Sequence, residues 1–128
     1  MGGEIRASRW LTYSWLVAAL KRIAPIFPVR DLAASLVHYS LLGFATRAYE
    51  GGGYGFATID GVEIHLGIAD DTASRASAYL FVDDADDLAR TWQSAGVAVH
   101  PPQDTDWGQH EGAVVDPDGN VIRFGSPI

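Results

Sequence analysis

Residues 60–67 read DGVEIHLG, and residues 118–125, 58 positions further along the chain, read DGNVIRFG. Both stretches begin with an Asp-Gly pair, which favours a tight turn, and continue with the alternating side chains of a β-strand. A second match lies upstream, where VRD at residues 29–31 precedes VDD at residues 82–84 by 53 positions. The chain therefore contains an internal repeat.

Each copy of the repeat also contains the start and stop signals of a helix. Asp31 and Asp84 are suited to the N-cap, and Gly43 and Gly96 are suited to the position after the last turn. With the flanking alternating segments, the order is a strand, a helix and three strands, twice. We predict an α+β fold with two βαβββ modules in tandem. The modules are expected to form a curved mixed sheet of half-barrels with the helices on its outer face.

Repeat one covers residues 22–68 and repeat two covers residues 76–125. The strands of both repeats are predicted to carry polar and aromatic side chains on the face away from the helices. By alternation, Glu63 and His65 share this face in the first copy. Tyr79, Phe81 and Arg123 share it in the second copy. Such a mixture suits a small-molecule ligand, although His65 or Arg123 paired with a nearby glutamate is an equally good structural interpretation.

Other aromatic residues allow two interpretations each. Tyr54 and Phe56 follow the glycine run of residues 51–53, which indicates either a flexible hairpin over a pocket or a plain turn. Trp107 lies in a polar loop, so we expect it to stack on a ligand rather than to pack at a subunit edge. Trp92 has apolar neighbours at helical spacing and is predicted to be a core residue.

The composition excludes several classes of function. The chain has 128 residues, enough for one domain with a substantial core. Nine basic and sixteen acidic residues give a formal net charge of −7, which argues against nucleic acid or an anionic membrane as the main partner. The absence of cysteine excludes disulfides, thiol catalysis and cysteine-based zinc sites. We expect a cytoplasmic protein.

The segment of residues 1–21 is predicted to be a helical extension to the domain of residues 22–128. Residues 10–20 read WLTYSWLVAAL, which is too short to span a bilayer. Basic flanks around an apolar run also occur in signal peptides, but no small-x-small cleavage site precedes a polar start. We therefore expect a buried helix. It is predicted to cover an apolar ridge on the first helix of the domain, either within one chain or between two chains, and this ridge is formed by Ala33, Ala34, Val37 and Leu41.

Two longer stretches resemble a known superfamily. Residues 28–44 read PVRDLAASLVHYSLLGF, and residues 107–125 read WGQHEGAVVDPDGNVIRFG. With the repeated βαβββ order, residues 22–128 resemble the glyoxalase/bleomycin-resistance/extradiol-dioxygenase (vicinal oxygen chelate) superfamily. The Trp-Gly pair before the Asp-Pro-Asp-Gly-Asn turn is most similar to the bleomycin-resistance branch.

The resemblance also bears on metal binding. Metal-dependent members of the superfamily take one ligand from the first strand and one from the last strand of each copy. The matching positions are Ala24, His65, Ser77 and Arg123. A catalytic divalent metal needs about three His or carboxylate donors, and His65 alone qualifies. We therefore expect no metal and no other cofactor.

The resemblance implies a binding protein, because members of the bleomycin-resistance branch are dimers that sequester a planar antibiotic between subunits. We expect a homodimer that holds an aromatic, antibiotic-like molecule in a concave groove at the dimer interface. The alternative is an enzyme, either a metal-dependent glyoxalase, lyase or dioxygenase, or a cofactor-free catalyst with His65 as base. The residues expected to contact the ligand are Tyr54, Phe56, Glu63, His65, Tyr79, Phe81, Trp107 and Arg123.

Overall fold

The computed structural model describes residues 18–70 and 72–128. The first module contains β1 (Ile26–Val29), α1 (Leu32–Leu41), β2 (Ala45–Ala48), β3 (Tyr54–Ile59) and β4 (Val62–Ile68). The second module contains β5 (Ser77–Phe81), α2 (Ala85–Ser94), β6 (His100–Asp104), β7 (Gln109–Val115) and β8 (Val121–Pro127). No helix within these described residues has the length and apolar character needed to cross a membrane.

Each module forms its own four-stranded mixed sheet. The strand order is β1-β4-β3-β2 in sheet one and β5-β8-β7-β6 in sheet two. The pairs β1–β4 and β5–β8 are parallel, and the remaining neighbours are antiparallel. The predicted α+β class and the tandem βαβββ order are therefore confirmed, with the half-barrels present as two separate sheets.

Both helices begin where the sequence predicts. The Asp31 carboxylate accepts a hydrogen bond from the Ala34 backbone N–H at 3.1 Å, and Asp84 caps α2 through the Asp87 N–H at 3.0 Å. These caps satisfy backbone donors that have no partner within the helix. Trp92, predicted as core, is 2% exposed, and its indole N–H donates to the Leu42 carbonyl oxygen at 2.8 Å. That bond joins α2 to the first module.

The second strand of repeat two lies later in the chain than the sequence indicates. The sequence pattern predicts a strand over residues 98–100 and a loop around residues 101–109, whereas β6 covers His100–Asp104. Pro101 and Pro102 suggested a loop, but β6 is an edge strand, where a missing N–H costs no ladder hydrogen bond. The pairing with β7 shifts its register between His100 and Gln103, next to the prolines.

The N-terminal prediction falls largely outside the described residues. Residues 18–25 contain no helix or strand. The rest of the predicted helix lies in residues 1–17, and its existence stays a prediction. The ridge that it is expected to cover is open to solvent within the described chain, with Val37 62% and Leu41 48% exposed.

The Asp-Pro-Asp-Gly-Asn turn joins the two modules. Asp116 is 6% exposed and accepts a hydrogen bond from the Tyr39 hydroxyl of α1 at 2.9 Å. Burial raises the pKa of Tyr39, and the neighbouring Asp116 charge raises it further. The Asn120 side-chain N–H donates to the Pro28 carbonyl oxygen of β1 at 2.8 Å, and Arg30 pairs with Asp118. The motif that carries much of the sequence resemblance therefore holds the two modules together.

Candidate functional site

Each sheet has one face against the core and a second face, called here the open face. On sheet one, cross-strand pairing aligns Ile26, His65, Phe56 and Arg47 on the open face. On sheet two, pairing aligns Tyr79, Arg123 and Ala113 in the corresponding row. Side chains at directly paired positions point to the same side of a sheet. The facing predicted from alternation is therefore correct for both modules.

The open face of sheet one holds a connected cluster of Glu63, His65, Tyr54 and Phe56. The Tyr54 hydroxyl lies 2.8 Å from His65 Nδ1, and His65 Nε2 makes a short hydrogen bond to Glu63 Oε2. The three rings pack edge to face, with the Phe56 and His65 centroids 5.0 Å apart. Arg47 covers the outer side of Phe56, 4.2 Å from the ring centroid. The ring nitrogens of His65 and the Tyr54 hydroxyl are thus hydrogen-bonded within the cluster, and the three rings pack against one another.

Glu63 is the charged end of this cluster. Its hydrogen bond with His65 lowers the pKa of the Glu63 carboxyl; burial offsets part of this effect, and the nearby Arg22 guanidinium lowers the pKa further. Arg22 Nε donates to Glu63 Oε1 at 2.9 Å. An ionised Glu63 accepts hydrogen bonds only, so the His65 nitrogen facing it carries the proton.

The open face of sheet two holds Tyr79, Phe81, Arg123 and Trp107 around one carboxylate, Glu111. Arg123 donates to Glu111 Oε2 through Nε at 2.9 Å and Nη2 at 2.7 Å. The Trp107 indole N–H donates to Glu111 Oε1 at 3.2 Å. The Tyr79 and Phe81 ring centroids are 4.8 Å apart, and the Arg123 guanidinium carbon lies 5.6 Å from the Tyr79 centroid.

Glu111 organises the charged and aromatic side chains of sheet two. Burial favours a higher pKa for its carboxyl, but the hydrogen bonds from Arg123 and Trp107 outweigh burial and the pKa is lowered. An ionised Glu111 therefore holds the exposed Trp107 ring in place and compensates the Arg123 charge. Trp107 is 61% exposed and Phe81 is 76% exposed, so both offer large apolar surfaces to a ligand or a partner.

The two open faces differ in free volume. A recess of about 460 Å³ on sheet two is lined by residues that include Arg123, Glu111, Ala113 and Gln103. Ala113 pairs with Arg123, in the same position as Phe56 opposite His65 on sheet one. A methyl group on sheet two thus replaces the phenyl ring that occupies the equivalent space on sheet one.

Two buried polar atoms of sheet two lack partners among the described residues. They are the Tyr79 hydroxyl and Gln109 Oε1, and both lie against Gly125. A Cβ at Gly125 would collide with the Tyr79 hydroxyl, so glycine is required for this approach. Burial raises the pKa of Tyr79, and the neighbouring Glu111 carboxylate raises it further, so the Tyr79 hydroxyl stays protonated.

The four positions that match the metal ligands of the superfamily do not fit a divalent metal. Both ring nitrogens of His65 make hydrogen bonds, and the Arg123 guanidinium is paired with Glu111. Ala24 has no donor atom, and the hydroxyl of Ser77 is a weak one. Among residues 18–70 and 72–128, no group of three His, Asp or Glu side chains is arranged so that it could hold a metal ion.

The eight residues predicted to contact a ligand fall into two groups of four. Tyr54, Phe56, Glu63 and His65 contact one another on sheet one. Tyr79, Phe81, Trp107 and Arg123 lie together on sheet two. Glu63, Tyr79 and Phe81 also line a cleft of about 360 Å³ between the two modules. Whether these residues bind a ligand stays a prediction.

The sequence analysis did not select three polar residues of this site. Glu111 is, with Glu63, one of the two glutamates that the sequence offers as a structural partner for His65 or Arg123, and in the structure it contacts both Arg123 and Trp107. Alternation from Arg123 through the β7–β8 turn could have identified it. Arg47 and Gln109 had no distinguishing signal, because their neighbours depend on the register of β2 and β7.

The tandem βαβββ architecture defines the class of fold, and comparison with known proteins agrees with it. Residues 19–124 match the family described as the glyoxalase/bleomycin resistance protein/dioxygenase superfamily. The chain belongs to this superfamily. No curated protein matches it by sequence.

Several solved structures are similar to this chain. A bleomycin-binding protein complexed with bleomycin is 25% identical, with a TM-score of 0.74 over 85% of this chain and 100% of that one. The bleomycin resistance determinant encoded on the transposon Tn5 has the same identity and TM-score, over 84% of this chain and 98% of that one. TnmS3, an antibiotic binding protein from Streptomyces sp. CB03234, is 27% identical, with a TM-score of 0.68 over 87% of this chain and 99% of that one.

Proposed function

We propose that this protein binds an aromatic, antibiotic-like small molecule without a metal ion and without chemical turnover. The recess beside Arg123 and Glu111 carries the proposal, because it combines free volume with paired charges, and the Trp107 indole N–H donates to the same Glu111. Pockets that bind small molecules typically combine apolar walls with a few fixed polar groups. The similar structures that are described as binding bleomycin or antibiotics support the same class of ligand.

The polar groups of sheet two define the ligand further. The Glu111 carboxylate and the Arg123 guanidinium both line the recess and are an acceptor and a donor for polar groups of a ligand. Arg123 is 47% exposed in its side chain and presents donors to an acceptor or anionic group. We therefore propose a flat heteroaromatic ligand that carries both donors and acceptors, with its rings against Trp107 and Phe81.

We also propose that the protein acts as a homodimer in which both open faces contribute to the groove. Ile26 on edge strand β1 is 58% exposed, and Phe81 on edge strand β5 is 76% exposed. Apolar side chains on unpaired edges favour association, because water around them is released on contact. In such a dimer, the packed rings of sheet one provide a flat wall and sheet two provides the volume. Sedimentation equilibrium at micromolar concentration tests this proposal; a monomer mass contradicts it.

The two hydrogen bonds of the His65 ring favour a binding role over catalysis with His65 as base. Both ring nitrogens of His65 already make hydrogen bonds, to Tyr54 and to Glu63. A general base needs a free lone pair within reach of the substrate proton. The hydrogen bonds therefore give His65 the role of holding Tyr54 and Glu63 in position.

A thermal-shift screen tests the proposed function. Purified protein is heated with aromatic antibiotics and, separately, with divalent metal ions. A ligand that binds the native state raises the melting temperature, and the shift grows with the logarithm of the ratio of ligand concentration to Kd when the ligand is in excess. We expect shifts with flat aromatic antibiotics and none with metals. A shift with a metal ion, together with metal-dependent turnover, would replace the binding proposal with the enzyme alternative.

Calorimetric titration of Trp107→Ala then locates the site. Loss of stacking is expected to weaken binding of an aromatic hit by about 1–3 kcal/mol, the range measured for stacking of bases on aromatic side chains. Tyr49→Ala is the matched control, since Tyr49 is an aromatic residue that is 53% exposed and belongs to neither cluster. Equal affinity in wild type and Trp107→Ala removes Trp107 from the site.

A further inference from the structure

A row of side chains crosses the recess of sheet two from β6 to β8. His100 pairs with Ala113 of β7, and Ala113 pairs with Arg123 of β8. Directly paired residues point to the same side of a sheet, and all three line the recess. Neighbouring strands lie about 4.8 Å apart, so the backbones at His100 and Arg123 are about 10 Å apart. An imidazole and a guanidinium therefore flank the recess, with the methyl group of Ala113 between them.

The irregular pairing of β6 adds a third polar side chain to this wall. The three-residue step from His100 to Gln103 is matched on β7 by the two-residue step from Ala113 to Glu111, so β6 contains one extra residue. A bulge of this kind interrupts the normal alternation and redirects the side chains that follow it. His100 and Gln103 consequently both line the recess.

The hydrogen-bonding groups that remain free around the recess are mostly donors. Among the residues that the structure describes, the side chains of His100 and Gln103 make no hydrogen bond or ion pair. Arg123 binds Glu111 through Nε and Nη2, and because a guanidinium has five N–H groups, three of them remain. Each Glu111 oxygen, in contrast, already has a partner, since Oε2 accepts from Arg123 and Oε1 accepts from Trp107.

The charges around the recess favour an anionic ligand group over a cationic one. Glu111 supplies a carboxylate and Arg123 a guanidinium, and these two charges compensate each other as an ion pair. A ligand cation would have to share the Glu111 oxygens with Arg123 and would be repelled by the Arg123 charge. A ligand carboxylate instead meets the remaining N–H groups of Arg123, whose planar shape matches a carboxylate. The imidazole of His100 is a second donor on the opposite side of the recess.

We propose that the recess binds a carboxylate group of the ligand between Arg123 and His100, with Gln103 as a further donor. This inference deepens the proposed function and rests on it, since the rings of the ligand are expected against Trp107 and Phe81. It narrows the ligand class to flat aromatic acids and gives His100 a role in binding. The formal net charge of −7 does not oppose it, because exposed charges farther away than about 8 Å are largely screened at physiological ionic strength.

Two probes that differ in charge but hardly in shape test the proposal: quinoline-6-carboxylate and quinoline-6-carboxamide. Each probe is titrated into isotope-labelled protein near neutral pH, and the NMR signals report both affinity and position. We expect the carboxylate to bind at least about 10-fold more tightly than the carboxamide, which corresponds to about 1.4 kcal/mol. The largest shifts are expected at the signals of His100, Ala113 and Arg123.

The variant His100→Gln tests the role that is new for this residue. His100 is exposed on an edge strand and its side chain has no partner, so the fold should not change. We expect His100→Gln to bind the carboxylate several-fold more weakly and the carboxamide as tightly as wild type. Arg123→Gln should bind both probes alike. Arg90→Gln is the matched control, because it removes the same charge from an exposed position on α2, and it should keep the full preference.

Three results would overturn the proposal. Equal affinity for the two probes, or tighter binding of the carboxamide, means that the recess holds no carboxylate, while aromatic binding itself is retained. A full preference for the carboxylate in His100→Gln removes His100 from the site. The absence of shifts with both probes at millimolar concentration contradicts the carboxylate site. The thermal-shift screen with uncharged aromatic antibiotics then decides separately whether the proposed function also fails.

Discussion

The open faces of the two sheets come from the same sequence repeat, yet they differ in the polar groups and the space that they leave available to a ligand. Sheet one packs Tyr54, Phe56 and His65 against one another and against Glu63, so its polar atoms and its space are used internally. Sheet two has Ala113 where sheet one has Phe56, and it retains a recess beside Glu111. A duplicated fold thus supplies a packed wall and an open recess from equivalent positions.

The largest expected effect comes from making sheet two resemble sheet one. Ala113→Phe introduces the phenyl ring that Phe56 provides on the other sheet and fills the recess. We expect ligand affinity to fall by more than about 100-fold, which corresponds to about 2.7 kcal/mol. The melting temperature should change little, because the new ring occupies space open to solvent. Calorimetric titration beside thermal unfolding measures both; retained affinity would place the ligand elsewhere.

Removing the shared acceptor of sheet two is expected to have the next largest effect. Glu111→Ala leaves the Arg123 guanidinium without its partner and the Trp107 indole N–H without its acceptor. We expect ligand affinity to fall by about 2 kcal/mol, at the lower end for breaking a hydrogen-bonded charge pair, because Arg123 is half exposed. Glu111→Gln keeps an acceptor and should lose less. If the two variants bind equally and more weakly than wild type, the neutral acceptor contributes nothing and the loss comes from the charge of Glu111; if both bind as tightly as wild type, Glu111 has no role in binding.

Opening sheet one tests whether free volume alone creates a site. Phe56→Ala removes the ring that fills the sheet-one space, without providing a counterpart of Glu111 and Trp107. We expect affinity to weaken by about 1 kcal/mol through loss of an aromatic wall, with the binding stoichiometry unchanged. Calorimetry reports both quantities. A doubled stoichiometry would show that volume is sufficient and that the charged groups of sheet two are dispensable.

The smallest expected effect concerns pH and the hairpin that carries Trp107. His110 Nδ1 lies 2.8 Å from Asp104 of β6, and Nε2 lies 2.9 Å from Asp86 of α2. Hydrogen bonds to Asp86 and then to Asp104 raise the pKa of His110 above its usual 6.5. The stabilisation is therefore fully present below about pH 6.5 and is lost as pH rises through the raised value.

We accordingly expect ligand affinity to decline several-fold from near-neutral to alkaline pH. The cause is the loss of the His110 charge, which weakens the contact between the hairpin and Asp86 of α2. Titrations from pH 6 to pH 9 check this decline. His110→Gln is the control and should show a flat profile over the same range. A wild-type profile as flat as that of His110→Gln would mean that the hairpin holds Trp107 without His110.

Features that depend on residues close together in the chain could be predicted from the sequence, whereas features that depend on distant residues could not. The helix caps at Asp31 and Asp84 were predictable, because each involves backbone groups within three residues. The facing of His65 and Arg123 followed from strand alternation alone. The prediction of a loop after residue 100 was wrong. A strand can contain Pro101 when it lies at a sheet edge, and the other strands of sheet two determine that β6 lies there.

The sequence by itself determined the repeated βαβββ order, the ends of the helices and the face on which each strand residue lies, since turns, caps and alternation are local properties. Tertiary structure alone decided that Glu111 holds both Arg123 and Trp107, that His65 uses both nitrogens, and that Asp116 and Asn120 join the modules. These contacts connect different strands or different modules. Their distances depend on cross-strand register and on how the two sheets pack, which no short stretch of sequence specifies.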